Sequence, residues 1–178
     1  MAEAGYPNGL TLGFATLRNR LAAGTKPIKE SLKRAGIDLK ITTNKEWDPH
    51  FEALDNPAKR LEHQVAQGGW LLDYLGDNAR GTIVLQYDSR LPNSGNFSEY
   101  DNPEVNRLID RALAEPDRDR RAALWAETDQ RIMRDAPLVP LVWETYSYQW
   151  ASRVHGWVYD PWTVAPDLTA VWLDPQSP

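Results

Sequence analysis

A chain of 178 residues suits one domain of ordinary size, able to bury well over half of the surface its unfolded form exposes. With 25 acidic against 20 basic residues the formal net charge is -5, and no stretch gathers Lys and Arg into a stripe that could follow a phosphate backbone, which excludes nucleic acid as an expected partner. No run reaches the roughly 18 apolar residues of a membrane helix, the start Met1-Ala2-Glu3-Ala4-Gly5-Tyr6 lacks the basic and apolar regions of a secretory signal, and the absence of cysteine excludes disulfides, thiolate metal sites and cysteine nucleophiles without fixing a compartment.

Leu10 to Phe14 reads as a short strand, and Arg18 to Gly24 as a polar connection into Thr25-Lys26-Pro27. Proline fits only the first turn of a helix, so the helix is expected to begin at Thr25 or Lys26. Ile28, Leu32 and Ala35 then recur at helical spacing, and Gly36 stands where a left-handed cap ends the helix. Ile37 to Thr42 follows as a second strand with Ile37, Leu39 and Ile41 on one face. Strand, helix and strand within about 35 residues form a βαβ unit, whose right-handed crossover makes the strands parallel.

Trp47 to Asn56 is expected to be helical, with Asp48 as cap and Pro49 as first residue, and Val65 to Leu72 to return to the sheet around a bend or close approach at Gly68-Gly69. Asp77 to Gln86 reads as a short helix and Asp88 to Gly95 as a turn-rich loop. At Asn102 the signal sharpens: Asn102 caps, Pro103 opens, and Val105, Leu108, Ile109, Ala112 and Leu113 draw an apolar stripe. Asp117 caps a second helix running to about Asp135, with Ala122, Trp125, Thr128 and Ile132 on its buried side, and Ala136-Pro137 ends it. Beyond Pro137 the period changes to two, with Leu141 and Trp143 on one strand face and Val142, Tyr146, Tyr148 and Trp150 on or near the other. Gly156, Pro161 and Pro166 then break the chain before the strand-like run Leu168 to Leu173. No internal repeat or low-complexity tract occurs.

Eight Trp and seven Tyr are a large aromatic load for so polar a chain. In Gly69-Trp70-Leu71-Leu72-Asp73-Tyr74 a carboxylate follows an indole by three residues. The indole offers a flat apolar wall and the carboxylate a charge-assisted acceptor for an ammonium group, a pairing that suits a charged organic ligand. Taken alone, the spacing more often marks a packed ring beside a solvated or capping carboxylate.

Five segments in this order resemble a known family: Ala4-Gly5-Tyr6-Pro7-Asn8-Gly9-Leu10, the helix leading into Gly36-Ile37-Asp38-Leu39, Gly69 to Tyr74, Asn96-Phe97 followed by Tyr100-Asp101-Asn102-Pro103-Glu104-Val105, and Pro137-Leu138-Val139-Pro140-Leu141. The chain resembles the C-terminal portion of the extracellular solute-binding proteins of ABC importers, in the branch that takes up oligopeptides, dipeptides, nickel and some oligosaccharides. The resemblance implies an α/β fold, one lobe of a periplasmic-binding-protein-like type II architecture with a mixed sheet flanked by helices. It covers residues 1–178, of which 138–178 include a tail that in the family returns to the other lobe. Because Ala4-Gly5-Tyr6 normally falls deep inside the chain, a fragment lacking the signal segment, the first lobe and half the cleft is expected.

The same resemblance places the partner of a peptide's α-ammonium at Asp73, with Trp70 as a cleft-wall residue and Tyr74 beside them in the ligand site. At Leu75-Gly76-Asp77 the chain departs from the Pro-Asp-Pro of many relatives, which leaves peptide, oligosaccharide and metal chelate open as ligands. The implied mechanism is closure of two lobes on a solute that is then delivered to a membrane permease, with no bond made or broken and no cofactor. The parent is expected outside the cytoplasm, as a periplasmic protein or cell-surface lipoprotein. A lone lobe is expected to bind weakly, and its exposed cleft-facing surface to favour pairing of two copies.

His50, His63 and His155 are scattered and are expected in surface or capping roles rather than as metal ligands. Glu99, Asp101 and Glu104 read as charges favoured near a helix start. Trp143, Tyr146, Tyr148 and Trp150 suit either a ligand groove or a core. Trp125 suits a core. A carbohydrate-directed protein remains the second functional class, either an oligosaccharide-binding module using the aromatics as sugar platforms or a glycoside hydrolase with Asp73 and Asp77 as acid and base.

Overall fold

A computed structural model describes residues 1–18, 23–60, 62–70, 79–92, 95–142, 145–160 and 165–175. Where the length suggests one domain, the chain forms two compact units, Met1–Gly69 and Trp70–Pro178, each gathered around its own apolar cluster.

The first unit is built on the expected βαβ crossover. Strand β1 (Leu10–Leu17) lies at the centre of a three-stranded sheet of order β2-β1-β3. Helix α1 (Thr25–Arg34) leads to β2 (Ile37–Asn44), which runs parallel to β1 from Leu10↔Ile37 to Leu17↔Asn44. Pro27 stands in the first turn of α1, and Gly36 beyond its end adopts φ +85°, the left-handed conformation that spares only glycine a steric cost. The Gly36 carbonyl accepts a hydrogen bond from Leu10 N at 3.0 Å, and a Cβ on Gly9 would lie 2.7 Å from that same oxygen. Two glycines therefore let the chain entering β1 meet the turn entering β2.

β1 runs three residues beyond the expected Phe14. Phe14, Ala15, Thr16 and Leu17 are all buried, and since successive side chains point to opposite faces, both faces of the strand are covered there. On β2 only Leu39 of the expected apolar face is fully buried, while Ile41 is exposed. Helix α2 (Trp47–Asp55) has Glu46 as its N-cap, two residues before the expected Asp48, and buries His50, Ala53 and Leu54. The short helix α3 (Pro57–Arg60) follows. The expected strand Val65 to Leu72 shrinks to β3 (Val65–Ala66), paired in parallel with Phe14 and Ala15. Gly68 and Gly69 bring no side chain to a sheet face, which weakens pairing where they stand. Leu71 and Leu72 lie outside the described residues.

The second unit is organised by helices. A π-helical turn, Arg80–Val84, runs into α4 (Leu85–Tyr87), followed by α5 (Pro103–Ala114) and α6 (Arg118–Asp135). Both expected caps are in place. Asn102 Oδ1 accepts from Glu104 N at 2.9 Å, and Asp117 Oδ1 from Asp119 N and Arg120 N at 3.1 and 2.9 Å. Val105, Ile109 and Ala112 pack with Trp125, Ile132, Ile83 and Tyr87 into one core. Leu113, expected in the stripe, is exposed at the end of α5, while Asn106 turns inward and exchanges hydrogen bonds with Ser89. Ala122 is exposed as well. Position 121, four before Trp125, takes the inward place, and Arg121 Nη1 donates to the carbonyls of Glu115 and Pro116 at 3.0 and 3.3 Å. Ala136 closes α6 at φ 52°.

The period-two segment after Pro137 makes no strand among its described residues. A strand's hydrogen bonds lie in its neighbour, and no described segment pairs with it. The expected run Leu168 to Leu173 contributes only β7 (Trp172–Leu173), antiparallel to β4 (Val154–His155). β5 (Val158–Asp160) pairs with β6 (Ala165–Asp167) in a second antiparallel ladder. The α/β class with parallel and antiparallel pairings therefore holds.

Candidate functional site

Of the three expected ligand-site residues, Asp73 and Tyr74 lie outside the described residues, and Trp70 is half-buried. The six-membered ring of Trp70 packs against Gly95: a Cβ there would lie 2.6 Å from Cζ3 and 2.9 Å from Cη2. The indole Nε1 is enclosed and, among the described residues, has no hydrogen-bond partner.

The segment that carries Gly95 is fixed to the helical core. Asn96 donates from Nδ2 to the Tyr100 carbonyl at 2.8 Å and accepts at Oδ1 from Tyr100 N at 2.9 Å, so one side chain closes the turn from both sides. The Tyr100 ring meets Tyr87 edge-on at 6.0 Å, and its hydroxyl donates to Asp135 at 2.6 Å. Burial, with that carboxylate beside it, pushes the Tyr100 hydroxyl up to about 12. Hydrogen bonds from Tyr100, and then from Asn102, hold the Asp135 carboxyl below its usual range. Asp135 thus ties the end of α6 to the cap of α5. On the other side of α5, Arg90 forks onto Asp88 and Asp110 with four bonds of 2.8 to 2.9 Å, and these lower both carboxyls. Glu104, in the first turn of α5, pairs with Arg131 at 2.9 Å.

In the first unit a second polar cluster stands at the carboxyl ends of the parallel strands, the edge where open α/β sheets bind their ligands. Gln67 is its centre: Oε1 accepts from Thr16 Oγ1 at 2.5 Å and from Leu17 N at 3.1 Å, while Nε2 is enclosed with no partner among the described residues. His50, expected in a surface or capping role, is fully buried instead. Its Nδ1 accepts from Asn44 Nδ2 at 3.0 Å and its Nε2 donates to the Gln67 carbonyl at 2.7 Å, so both ring nitrogens are satisfied and burial costs little. The network assigns the proton to Nε2. No motif marked this residue. The pointer available was its place in α2, four residues before the buried Leu54.

His155 pairs with Asp174 at 2.9 Å and stacks on Trp172 at 4.3 Å, which leaves it structural in the β4–β7 ladder. Among the described residues no three His, Asp or Glu side chains come together as a metal site. Tyr146, Tyr148 and Trp150 line an open groove of about 440 Å³ with Thr145, Trp157 and Tyr159. Trp150 and Trp157 stack at 4.2 Å, and Tyr148 meets Trp157 and Tyr159 at 5.9 and 5.8 Å. Trp143 lies outside the described residues.

No family model matches the chain. Its relatives are nonetheless consistent. The periplasmic oligopeptide-binding protein OppA of Salmonella typhimurium is 28% identical over 164 residues, which are 89% of this chain and 27% of that protein. Among solved structures, clavulanic acid biosynthesis oligopeptide binding protein 2 superposes with a TM-score of 0.80 at 29% identity, over 98% of this chain and 32% of that one. The periplasmic binding protein DppA of Helicobacter pylori, in complex with the peptide STSA, does so with a TM-score of 0.77 at 26% identity, over 98% and 33%. In sequence and in fold the chain is similar to the family 5 solute-binding proteins. It spans about a quarter of the length of the curated relatives it matches, a share that fits one lobe of a family 5 protein. None of the relatives named here is carbohydrate-directed, and family 5 members are binding proteins rather than enzymes.

Proposed function

We propose that this chain is the C-terminal lobe of the substrate-binding component of an ABC importer, which captures an oligopeptide or similar small solute outside the cytoplasm and delivers it to a membrane permease. The observation that carries the reading is the superposition of 98% of the chain on about a third of a peptide-binding protein of the same family. Asp73 receives the ligand's α-ammonium, with Trp70 and Tyr74 alongside. Binding is closure: the solute bridges this lobe and its counterpart, and the closed form wins by its contacts with both.

Residues 138–178 include the tail that returns to the other lobe. Supporting this, the large exposed apolar side chains of the second unit concentrate there, among them Val139, Val142 and Leu168. A second copy of the chain is the other partner such a surface could take, and a monomer by sedimentation velocity at the highest soluble concentration would dismiss it.

The deciding experiment uses a two-lobe protein carrying this lobe. Desolvated charge pairs lose roughly 2 kcal/mol or more when one partner is removed, so Asp73→Asn should weaken peptides with a free amino terminus at least about 30-fold. Amino-acetylated peptides should be nearly unaffected. Equal losses for the two kinds of peptide in titration calorimetry would remove Asp73 from the role.

A further inference from the structure

We propose that Gly95 is a positioning residue of the ligand site, holding the Trp70 ring in place by presenting a bare backbone to it. The inference rests on the reading of Trp70 as a wall of that site.

Glycine stands at a position for one of two reasons, backbone conformation or space. Gly95 is not among the described glycines with positive φ, which are Gly5, Gly9, Gly36 and Gly156. Its conformation is open to any residue, so the reason is space. A Cβ built there would meet Cζ3, Cη2 and Cε3 of Trp70 at 2.6, 2.9 and 3.5 Å, three consecutive atoms of the six-membered ring. A rigid ring cannot bend away as the end of a flexible side chain can, so it would have to move as a whole. Gly68 and Gly69 are the contrast, since a Cβ at either meets nothing within 4 Å.

Among the described residues the Trp70 indole nitrogen, the one group able to fix the ring's rotation by a directed bond, is enclosed without a partner. Packing therefore sets the orientation, and the seat is firm. Phe97 N donates to the Gly95 carbonyl at 2.9 Å, and the Asn96 bonds to Tyr100 join the segment to Asp135 and the core of α5 and α6. A methyl at position 95 would meet a support that does not yield, so Trp70 is the part displaced. A wall residue displaced by even about 1 Å loses its fit to a bound ligand.

The test labels the full chain with 5-fluorotryptophan, assigns the Trp70 resonance from the spectrum of Trp70→Phe, and follows it by fluorine NMR. Gly95→Ala should shift that resonance while the other tryptophans keep theirs. Stability should show the same coupling: Gly95→Ala lowers the denaturation midpoint when Trp70 is present and leaves it unchanged on a Trp70→Ala background. Should Gly95→Ala alone fail to fold while the double variant folds, the coupling is shown in its strongest form. An unmoved Trp70 resonance, or the same loss of stability on both backgrounds, overturns the proposal.

Trialanine, titrated into a two-lobe protein carrying this lobe with and without Gly95→Ala, separates the seat from the function. A Trp70 resonance that responds in the unaltered protein and needs at least tenfold more trialanine in Gly95→Ala supports both. An equal response in the two overturns the positioning role. No response in the unaltered protein counts against Trp70 as a ligand contact, and the coupling measurements then decide the seat by themselves.

Discussion

The helices α5 and α6 and the segment from Leu138 onward belong to the same unit, yet they treat apolar side chains in opposite ways. In the helical pair Val105, Ile109, Ala112, Trp125 and Ile132 are nearly inaccessible to solvent, whereas in the tail Val139 is 74% and Leu168 67% exposed. Both regions are strongly patterned. The difference lies in where the backbone hydrogen bonds go. A helix satisfies its own and needs only a facing stripe, which α5 and α6 give each other, while a strand's bonds must be completed by a neighbour. The tail's longest described ladder spans three residue pairs, too short to organise a face.

The contrast breaks or stands on measured stabilities. Trp125→Ala in the helical core should cost about 3 to 5 kcal/mol, through lost transfer energy and the cavity left behind, read as a lowered urea midpoint. A loss under 1 kcal/mol would mean that the core relaxes around the gap and that the two regions differ less than they look.

An intermediate effect is expected at Arg90, whose fork joins the α4–α5 connection to α5. Arg90→Ala should cost about 1 kcal/mol, since Asp88 is left buried without its partner while the exposed Asp110 arm contributes little. The pH dependence sharpens this. Arg90 holds Asp88 and Asp110 below the ordinary carboxylate value, so both bind protons more weakly folded than unfolded. Their stabilisation is present at neutral pH and is lost as the pH falls below about 4. In Arg90→Ala the acid limb of the stability profile should flatten, and an unchanged limb would place the acid sensitivity elsewhere.

The smallest effect belongs to the tail. Val139→Ser should change the stability of the chain by less than about 0.5 kcal/mol, because the side chain is already in water. A loss of 2 kcal/mol in the isolated chain would show that the tail is part of the core after all.

How much of this was legible depended on how local the cause was. Asn102 and Asp117 were readable as caps because a cap binds amides two or three residues away. Gly36 was readable because Leu32 and Ile37 bracket it with a change of period. His50 was not. Its burial depends on Asn44 from one element and the Gln67 carbonyl from another, and no spacing along α2 announces either. Ala122 lost its expected inward place beside Arg121, whose guanidinium reaches back to the carbonyls of Glu115 and Pro116, partners that no spacing along α6 announces. The candidate site shows the same divide: the indole at Trp70 stands plainly in the sequence, while the glycine against which it packs lies in a loop with no periodic signal.

By itself the sequence determined the parallel strand-helix-strand unit and the two capped helices with the core between them. These follow from periodicity and from hydrogen bonds closed within a few residues. Tertiary structure alone decided that β3 would stop after two residues, that His50 would be enclosed, and that Gly95 would carry the Trp70 ring. It also left Leu141, Val142 and Trp150 of the tail exposed. Each of these outcomes depends on which distant surface arrives to complete a bond or fill a space, and that is a property of the folded chain rather than of any stretch of it.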